Sequence, residues 1–299
     1  VREFFQPINE IADKYTGLQS AVISSERIFE IMDIKENVED LKTGISCENL
    51  RGEIEFRNVW FAYEDGNWVL EDVSFHIKPG ETVAFVGATG SGKSTIISLI
   101  TRFYDIQKGE ILIDGVDIKK YRLTELRRKI AVVLQDVFLF TGDIASNIRL
   151  NNEEITDDDV YRAIKTACAD SFIESLPNGI KSEVKERGCT FSSGQRQLLS
   201  FARAVALNPA VLILDEATAY IDTETEEMIQ RSMENVTSGR TSILIAHRLS
   251  TIRRADRIYV IDRGRIAEEG DHDTLMNLNG LYRNYVELSL KNRYDEADI

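Results

Sequence analysis

One stretch constrains this chain more than any other: Gly87-Ala88-Thr89-Gly90-Ser91-Gly92-Lys93-Ser94-Thr95, which fits the pattern G-x-x-x-x-G-K-[ST]. The apolar run Thr82 to Val86 leads into it and reads as a buried strand. Ile96, Ile97, Leu99, Ile100 and Phe103 follow at helical spacing. Strand, glycine turn and helix are the context in which this pattern cradles phosphates. Glycines let successive backbone N–H groups converge on the anion, and the helix N-terminus behind them favours negative charge. Lys93 can reach the outer phosphates of a nucleoside triphosphate, and the Ser94 hydroxyl is placed to ligate Mg²⁺.

A second element belongs with the first. Val211-Leu212-Ile213-Leu214 reads as a central strand with Asp215 and Glu216 at its C-terminal end, where open α/β sheets bind ligands. Asp215 suits Mg²⁺ through water, and Glu216 suits a general base that orients the attacking water. Paired with the phosphate loop, the two carboxylates argue for a hydrolytic NTPase. A third element, Phe191-Ser192-Ser193-Gly194-Gln195, precedes a helix with Leu198, Phe201, Ala202 and Val205 on one face. Alone it reads as a plain helix cap; as a second anion site it invites a phosphate offered by another subunit.

The remaining chain follows a βα texture. Ile54 and Phe56 alternate with Glu53, Glu55 and Arg57, and Val73, Phe75 and Ile77 alternate again before a Pro79-Gly80 turn. Trp60 and Phe61 read as core aromatics. Further strands are expected at Glu110 to Ile113, Ile130 to Leu134, Ser242 to Ala246 and Arg257 to Ile261. A mainly helical region runs from about Asp143 to Leu207, with a helix start at Thr156. Leu281 to Leu290 reads as a closing helix and Lys291 onward as a polar tail. Strands alternating with helices imply a mostly parallel sheet covered on both faces.

The N-terminal stretch differs. Ile8, Ile11, Tyr15, Leu18 and Val22 form one stripe on a helix expected from Phe4 to Met32, close to a heptad seam. Glu36 to Glu48, polar and acidic, reads as a linker. The domain boundary falls at residue 45: 1–45 as helix and linker, 46–299 as the nucleotide-binding unit with a helical subdomain at about 136–207. In a chain of 299 residues the formal charge of −14 argues against nucleic acid as a partner, since a phosphate backbone needs a basic face. The basic run Lys119, Lys120, Arg122, Arg127, Arg128, Lys129 reads as the solvated side of a helix. Cys47, Cys168 and Cys189 form no C-x-x-C pair and give no zinc or disulfide signal. No stretch reaches the ~20 apolar residues of a spanning helix. His76 and His272 read as structural or surface histidines.

Taken together and in order, the phosphate loop, Gln135, Ser192-Ser193-Gly194-Gln195, the Leu-Asp-Glu strand end, Asp222 and His247 resemble the nucleotide-binding domain of ATP-binding cassette (ABC) exporters of the multidrug half-transporter type. The resemblance covers Leu50 to Leu290. It implies a P-loop NTPase core with a mixed sheet, an antiparallel β part and a helical subdomain. It implies ATP and Mg²⁺ as ligands and ATP hydrolysis that powers export. It also implies two such domains packed head to tail, each ATP lying on one phosphate loop and under the other domain's signature. On the residues that match, Tyr63 stacks on adenine, and Gly87, Thr89, Gly90, Ser91, Gly92, Lys93, Ser94 and Thr95 hold phosphates. Ser94, Gln135 and Asp215 serve the metal; Glu216, His247 and Gln135 serve catalysis. Ser192, Ser193, Gly194, Gln195 and Asp222 reach the partner's site. Glu186-Arg187-Gly188 resembles the loop that touches the coupling helices of the transmembrane domain. Val1 to Met32 resembles the cytoplasmic end of the last transmembrane helix, which puts the chain at the cytoplasmic face of the membrane.

Two departures stand out. The usual signature is Leu-Ser-Gly-Gly-Gln; here Phe191 and Ser193 replace its Leu and first Gly. A Cβ at Ser193 restricts φ and crowds a phosphate. The Asp222 loop, Ala219-Tyr220-Ile221-Asp222, lacks the usual leading Ser. These changes suggest an asymmetric heterodimer, with a homodimer as the alternative. Rival functional readings are a nucleotide-gated binding module with little turnover and a soluble ABC ATPase.

Overall fold

The computed structural model describes residues 2–33, 38, 43–216, 223–246 and 249–297. Two compact units divide the chain, Val1–Glu39 and Asp40–Ile299. Among its described residues the first holds one helix, α1 (Arg2–Met32), a little longer at its start than its stripe required. Ile11, Tyr15, Leu18 and Val22 are all exposed on it. Among the described residues no helix is long and apolar enough to cross a membrane.

The second unit is built on two sheets. Strands β1 (Ile54–Ala62), β2 (Trp68–Ile77), β4 (Lys108–Ile113) and β5 (Val116–Asp117) form an antiparallel sheet in the order β2-β1-β4-β5. Between them in sequence come β3 (Thr82–Val86) and α2 (Lys93–Ile100). After β5, α3 (Leu123–Lys129) leads straight into β6 (Ile130–Val133). A helical layer follows: α4 (Ile144–Arg149), α5 (Asp157–Thr166), α6 (Asp170–Glu174) and α7 (Ser193–Ala206). A short two-stranded ribbon, β7 (Gly142–Asp143) with β8 (Glu183–Val184), sits within it. Thr156 caps α5 as its sequence suggests, exchanging hydrogen bonds with Asp159 in a capping box. The chain then runs through β9 (Val211–Glu216), α8 (Thr223–Thr237), β10 (Thr241–Ala246), α9 (Leu249–Ile252), β11 (Arg257–Asp262), β12 (Arg265–Gly270), α10 (His272–Leu278) and α11 (Leu281–Ala297).

The main sheet has the order β12-β11-β3-β10-β9-β6; all neighbours are parallel except the antiparallel edge strand β12. Its strands explain the continuous apolar runs of the sequence. Side chains alternate across a strand. Val83, Phe85, Ile213, Ile243, Ile245 and Tyr259 enter the core beneath the antiparallel sheet and α2. Ala84, Val86, Leu212, Leu214, Leu244 and Val260 enter the core shared with α5, α7, α8 and α11. Both faces are covered, so polar alternation has no place to appear.

Several expectations need correction. The closing helix does not stop at Leu290 but continues to Ala297. Helix α2 ends at Ile100, and Phe103 lies exposed beyond it against the Arg127 guanidinium. Arg127 is not on a solvated face: it donates to the carbonyl oxygens of Thr101 and Arg102, closing the C-terminal end of α2. The acidic linker also ends earlier than its composition suggests. Ile45 bridges in parallel to Tyr121, with Ile45 N–H donating to Lys120 O and Arg122 N–H to Ile45 O. The Ser46 hydroxyl and Cys47 N–H both donate to Glu125, and the Cys47 side chain is buried in the core.

Candidate nucleotide site

Strand β3 ends at Val86, and the next residue turns sharply. Gly87 has φ 153°, and a Cβ there would stand 2.2 Å from the Ile261 carbonyl oxygen. Only glycine fits so close to β11. Gly92, with φ 111°, then opens α2 as its N-cap. The turn therefore directs a helix N-terminus back over the C-terminal edge of the parallel sheet.

Lys93, 7 % exposed, folds its side chain inside this turn. Its ammonium donates to Gly87 O at 2.8 Å and Ala88 O at 2.9 Å. Burial lowers its pKa from the ordinary lysine range, while the charge of Asp215 works in the opposite direction. Among the described residues the buried Ser91 hydroxyl has no hydrogen-bond partner.

A cleft of about 650 Å³ opens over this loop. It gathers Tyr63, Thr89, Gly90, Gly92, Lys93, Ser94, Thr95, Gln135 and Asp215 from separate parts of the sequence. Tyr63, just past β1, stands perpendicular to Phe61 and Tyr104 at ring distances of 4.9 and 5.1 Å. Its hydroxyl lies 3.1 Å from Thr95 Oγ1, and 51 % of the residue remains exposed. The ring is thus held by its edges and its phenol, with apolar surface left at the mouth of the cleft. Gln135 follows β6 and Asp215 is the last residue but one of β9; these strands are neighbours in the sheet, so both side chains reach the same rim. The positions of Val69 and Ile245 on the lining carried no sequence signal beyond core packing.

The serine-glycine segment does not line this cleft. Ser192 is the N-cap of α7: its Oγ accepts from Gln195 N–H at 3.2 Å, while Gln195 Oε1 accepts from Ser192 N–H at 2.9 Å. The cap reading made from sequence is the one this geometry shows, with the capping serine exposed at the helix N-terminus. Ser193 corrects one expectation. It is the first residue of α7 and is absent from the left-handed region, so its Cβ imposes no backbone strain. Gly194 is the position that tolerates nothing larger, since a Cβ there would meet the Thr225 methyl at 2.1 Å. Glu216 is the last residue of β9, paired with Ala246, and its side chain lies outside the described residues, as do Asp222 and His247. His76 pairs with Glu53, and His272 with the Tyr282 hydroxyl, both away from the cleft.

Comparison with known proteins agrees with this geometry. A family model described as ABC transporter matches residues 70–219. The chain is 48% identical to the probable multidrug resistance ABC transporter ATP-binding/permease protein YheH of Bacillus subtilis, over 99% of this chain and 44% of that protein. It is 45% identical to a fatty acid ABC transporter ATP-binding/permease protein of Mycobacterium tuberculosis, over 94% of this chain and 44% of that protein. The chain thus spans somewhat less than half the length of these relatives. Among solved structures, a bacterial Atm1-family ABC exporter with ATP bound superposes with a TM-score of 0.80 at 39% identity, covering 96% of this chain and 50% of that one. A phosphate loop, an aromatic at the cleft mouth and a separate serine-glycine helix start, in a chain matched by that model, make this protein a member of the ABC transporter family.

Proposed function

We propose that this domain, joined to a membrane-spanning part in the intact protein, binds and hydrolyses ATP to drive export across a membrane. The observation that carries the reading is the separation of two anion-suited sites on one chain. The cleft over Lys93 holds a base-stacking ring, a phosphate loop and a carboxylate. The Ser192 to Gln195 helix start lies elsewhere and contributes nothing to that cleft. Two such domains facing head to tail complete each other: the nucleotide rests on one phosphate loop and is covered by the second domain's signature.

Within that arrangement Tyr63 stacks on adenine, and Lys93 exchanges its two carbonyl partners for β and γ phosphate oxygens. Ser94, Gln135 and Asp215 line one cleft and offer only oxygen donors: a hydroxyl, an amide and a carboxylate. That set fits Mg²⁺, which keeps water and phosphate oxygens among its ligands. When bound, Mg²⁺ neutralises charge on the transferring phosphoryl group. Glu216 orients and deprotonates the attacking water, His247 contacts the γ phosphate, and Asp222 lies near the partner's site.

The membrane part docks in a groove of about 310 Å³ beside β6, lined by Leu134, Phe138, Phe140 and Leu150. These four apolar side chains are exposed by 48 to 60 %. The domain works at the cytoplasmic face of the membrane. Ser193, in place of the usual first signature glycine, favours a heterodimer in which this chain supplies Glu216 to one site and an altered signature to the other.

Replacing Glu216 by Gln in the intact transporter tests the central role. Turnover should fall by ~10²–10⁴ while ATP binding persists; unchanged turnover would remove Glu216 from the mechanism. The subunit purified alone should lack full ATPase activity. Full activity would establish the homodimer instead.

A further inference from the structure

The groove is walled in part by the end of α7, through Ser200, Ala204 and Leu207, and the polar part of that contact is made by one arginine. The segment Phe138-Leu139-Phe140 forms a knuckle whose outer rings, 5.0 Å apart, face the groove. Arg203, near the far end of α7, grips this knuckle from below. Its Nη1 donates to Phe138 O at 2.9 Å, its Nε to Asn147 O at 3.0 Å, and its Nη2 to Asn147 Oδ1 at 3.1 Å. Its guanidinium also lies 5.9 Å from the Phe140 ring. Asn147, 3 % exposed, completes the loop by accepting from Phe140 N–H and donating to Phe140 O, both at 2.8 Å. All three acceptors of the guanidinium are neutral, and burial lowers its pKa. A cation held this way gains little from charge pairing; what it provides is a fixed fork of hydrogen bonds that lysine cannot reproduce.

A second contact joins the knuckle to the segment that leads into α7. Leu139 is fully buried and packs so tightly on Gly188 that a Cβ there would lie 2.7 Å from its Cδ1. Gly188 O accepts from Phe191 N–H at 3.0 Å, and Arg196 donates to Phe191 O at 2.8 Å. Phe191 is the residue before the Ser192 cap. The knuckle therefore touches α7 near its C-terminal end and the segment that leads into its N-terminal end, and 14 residues of helix lie between.

We propose that Arg203 is a positioning residue for ATP hydrolysis, locking the Phe138–Phe140 knuckle to α7 so that the groove wall and the Ser192 to Gln195 helix start move as one body. This rests on the reading that the helix start completes an ATP site on a partner domain. Arg203 touches no nucleotide. Its effect falls on the assembly of the competent site, hence on turnover rather than on ATP capture by the Lys93 loop.

The test uses the intact transporter with Arg203→Lys, Asn147→Ala and the double variant. Each single variant should lower kcat by about tenfold while KM for ATP stays within about twofold, since uniform ATP binding is untouched. Because both residues act through one tie, the double variant should be no worse than the worse single one. A role in folding alone would instead lower the melting temperature and scale activity with the folded fraction, leaving kcat per folded molecule unchanged. That result, or losses that multiply in the double variant, overturns the proposal. Ser192→Ala, assayed alongside, separates the two levels. If it abolishes turnover while Arg203→Lys does not, the signature reading stands and the tie falls; if neither matters, the signature reading falls with it.

Discussion

The Lys93 ammonium lies 2.8 Å from the carbonyl oxygen of Gly87, the residue that begins its own phosphate loop. The loop thus stabilises its buried cation with its own backbone carbonyls. ATP with Mg²⁺ at ~100 times its Kd should raise stability by about 2.7 kcal/mol. Lys93→Ala should abolish most of that gain, as read by the nucleotide-induced shift in thermal unfolding. A shift of unchanged size would show that the phosphates sit elsewhere.

Tyr63 separates two contributions to nucleotide affinity. Its ring is offered at the cleft mouth, and its hydroxyl bonds Thr95. Tyr63→Ala should weaken ATP binding by roughly tenfold, the upper range for an aromatic contact. Tyr63→Phe keeps the ring and should stay within about threefold. Equilibrium titration with a fluorescent ATP analogue measures both.

Gly194 is held by Thr225 on α8 rather than by its own φ. Gly194→Ala should destabilise the domain by about 1–3 kcal/mol, the usual cost of overpacking. Adding Thr225→Ser removes the obstructing methyl and should recover most of it. Denaturant midpoints of the single and double variants decide the matter.

Cys47 gives a pH signature. Burial, reinforced by the Glu125 carboxylate, pushes its thiol up to about 11. The folded chain keeps this proton where the unfolded chain releases it, so the contribution is intact below the ordinary thiol pKa of about 8.5 and is lost as pH rises toward 11. Stability should fall across that window, and Cys47→Ala should flatten the fall relative to the parent chain. Denaturation curves between pH 8 and 11 test the sign.

Much of this was legible in the sequence because the strongest signals are local. β3 and β9 were visible as apolar runs, and the glycine-lysine turn fixed what lies between strand and helix. Gln135 and Asp215 converge because their strands are neighbours, which sequence alone does not state. Other features depend on partners distant along the chain. Ile45 and Cys47 look like linker residues until Tyr121 and Glu125 are placed beside them. Arg127 looks solvated until the open carbonyls at the end of α2 are found within its reach. Arg203 sits in an ordinary amphipathic helix, and nothing in its neighbours along the chain announces the three acceptors it binds.

The staple at residues 45–47 has a mechanical consequence. Backbone and side-chain bonds there fasten the incoming chain to Tyr121 and Glu125, at the base of α3, which runs directly into β6 and on to Gln135. Cys47, sunk in the interior, stops any pull from travelling further along the backbone to β1 and Tyr63. Tension reaching residue 45 is thereby steered toward α3 and β6, while β1 and the Tyr63 ring beyond it are left undisturbed.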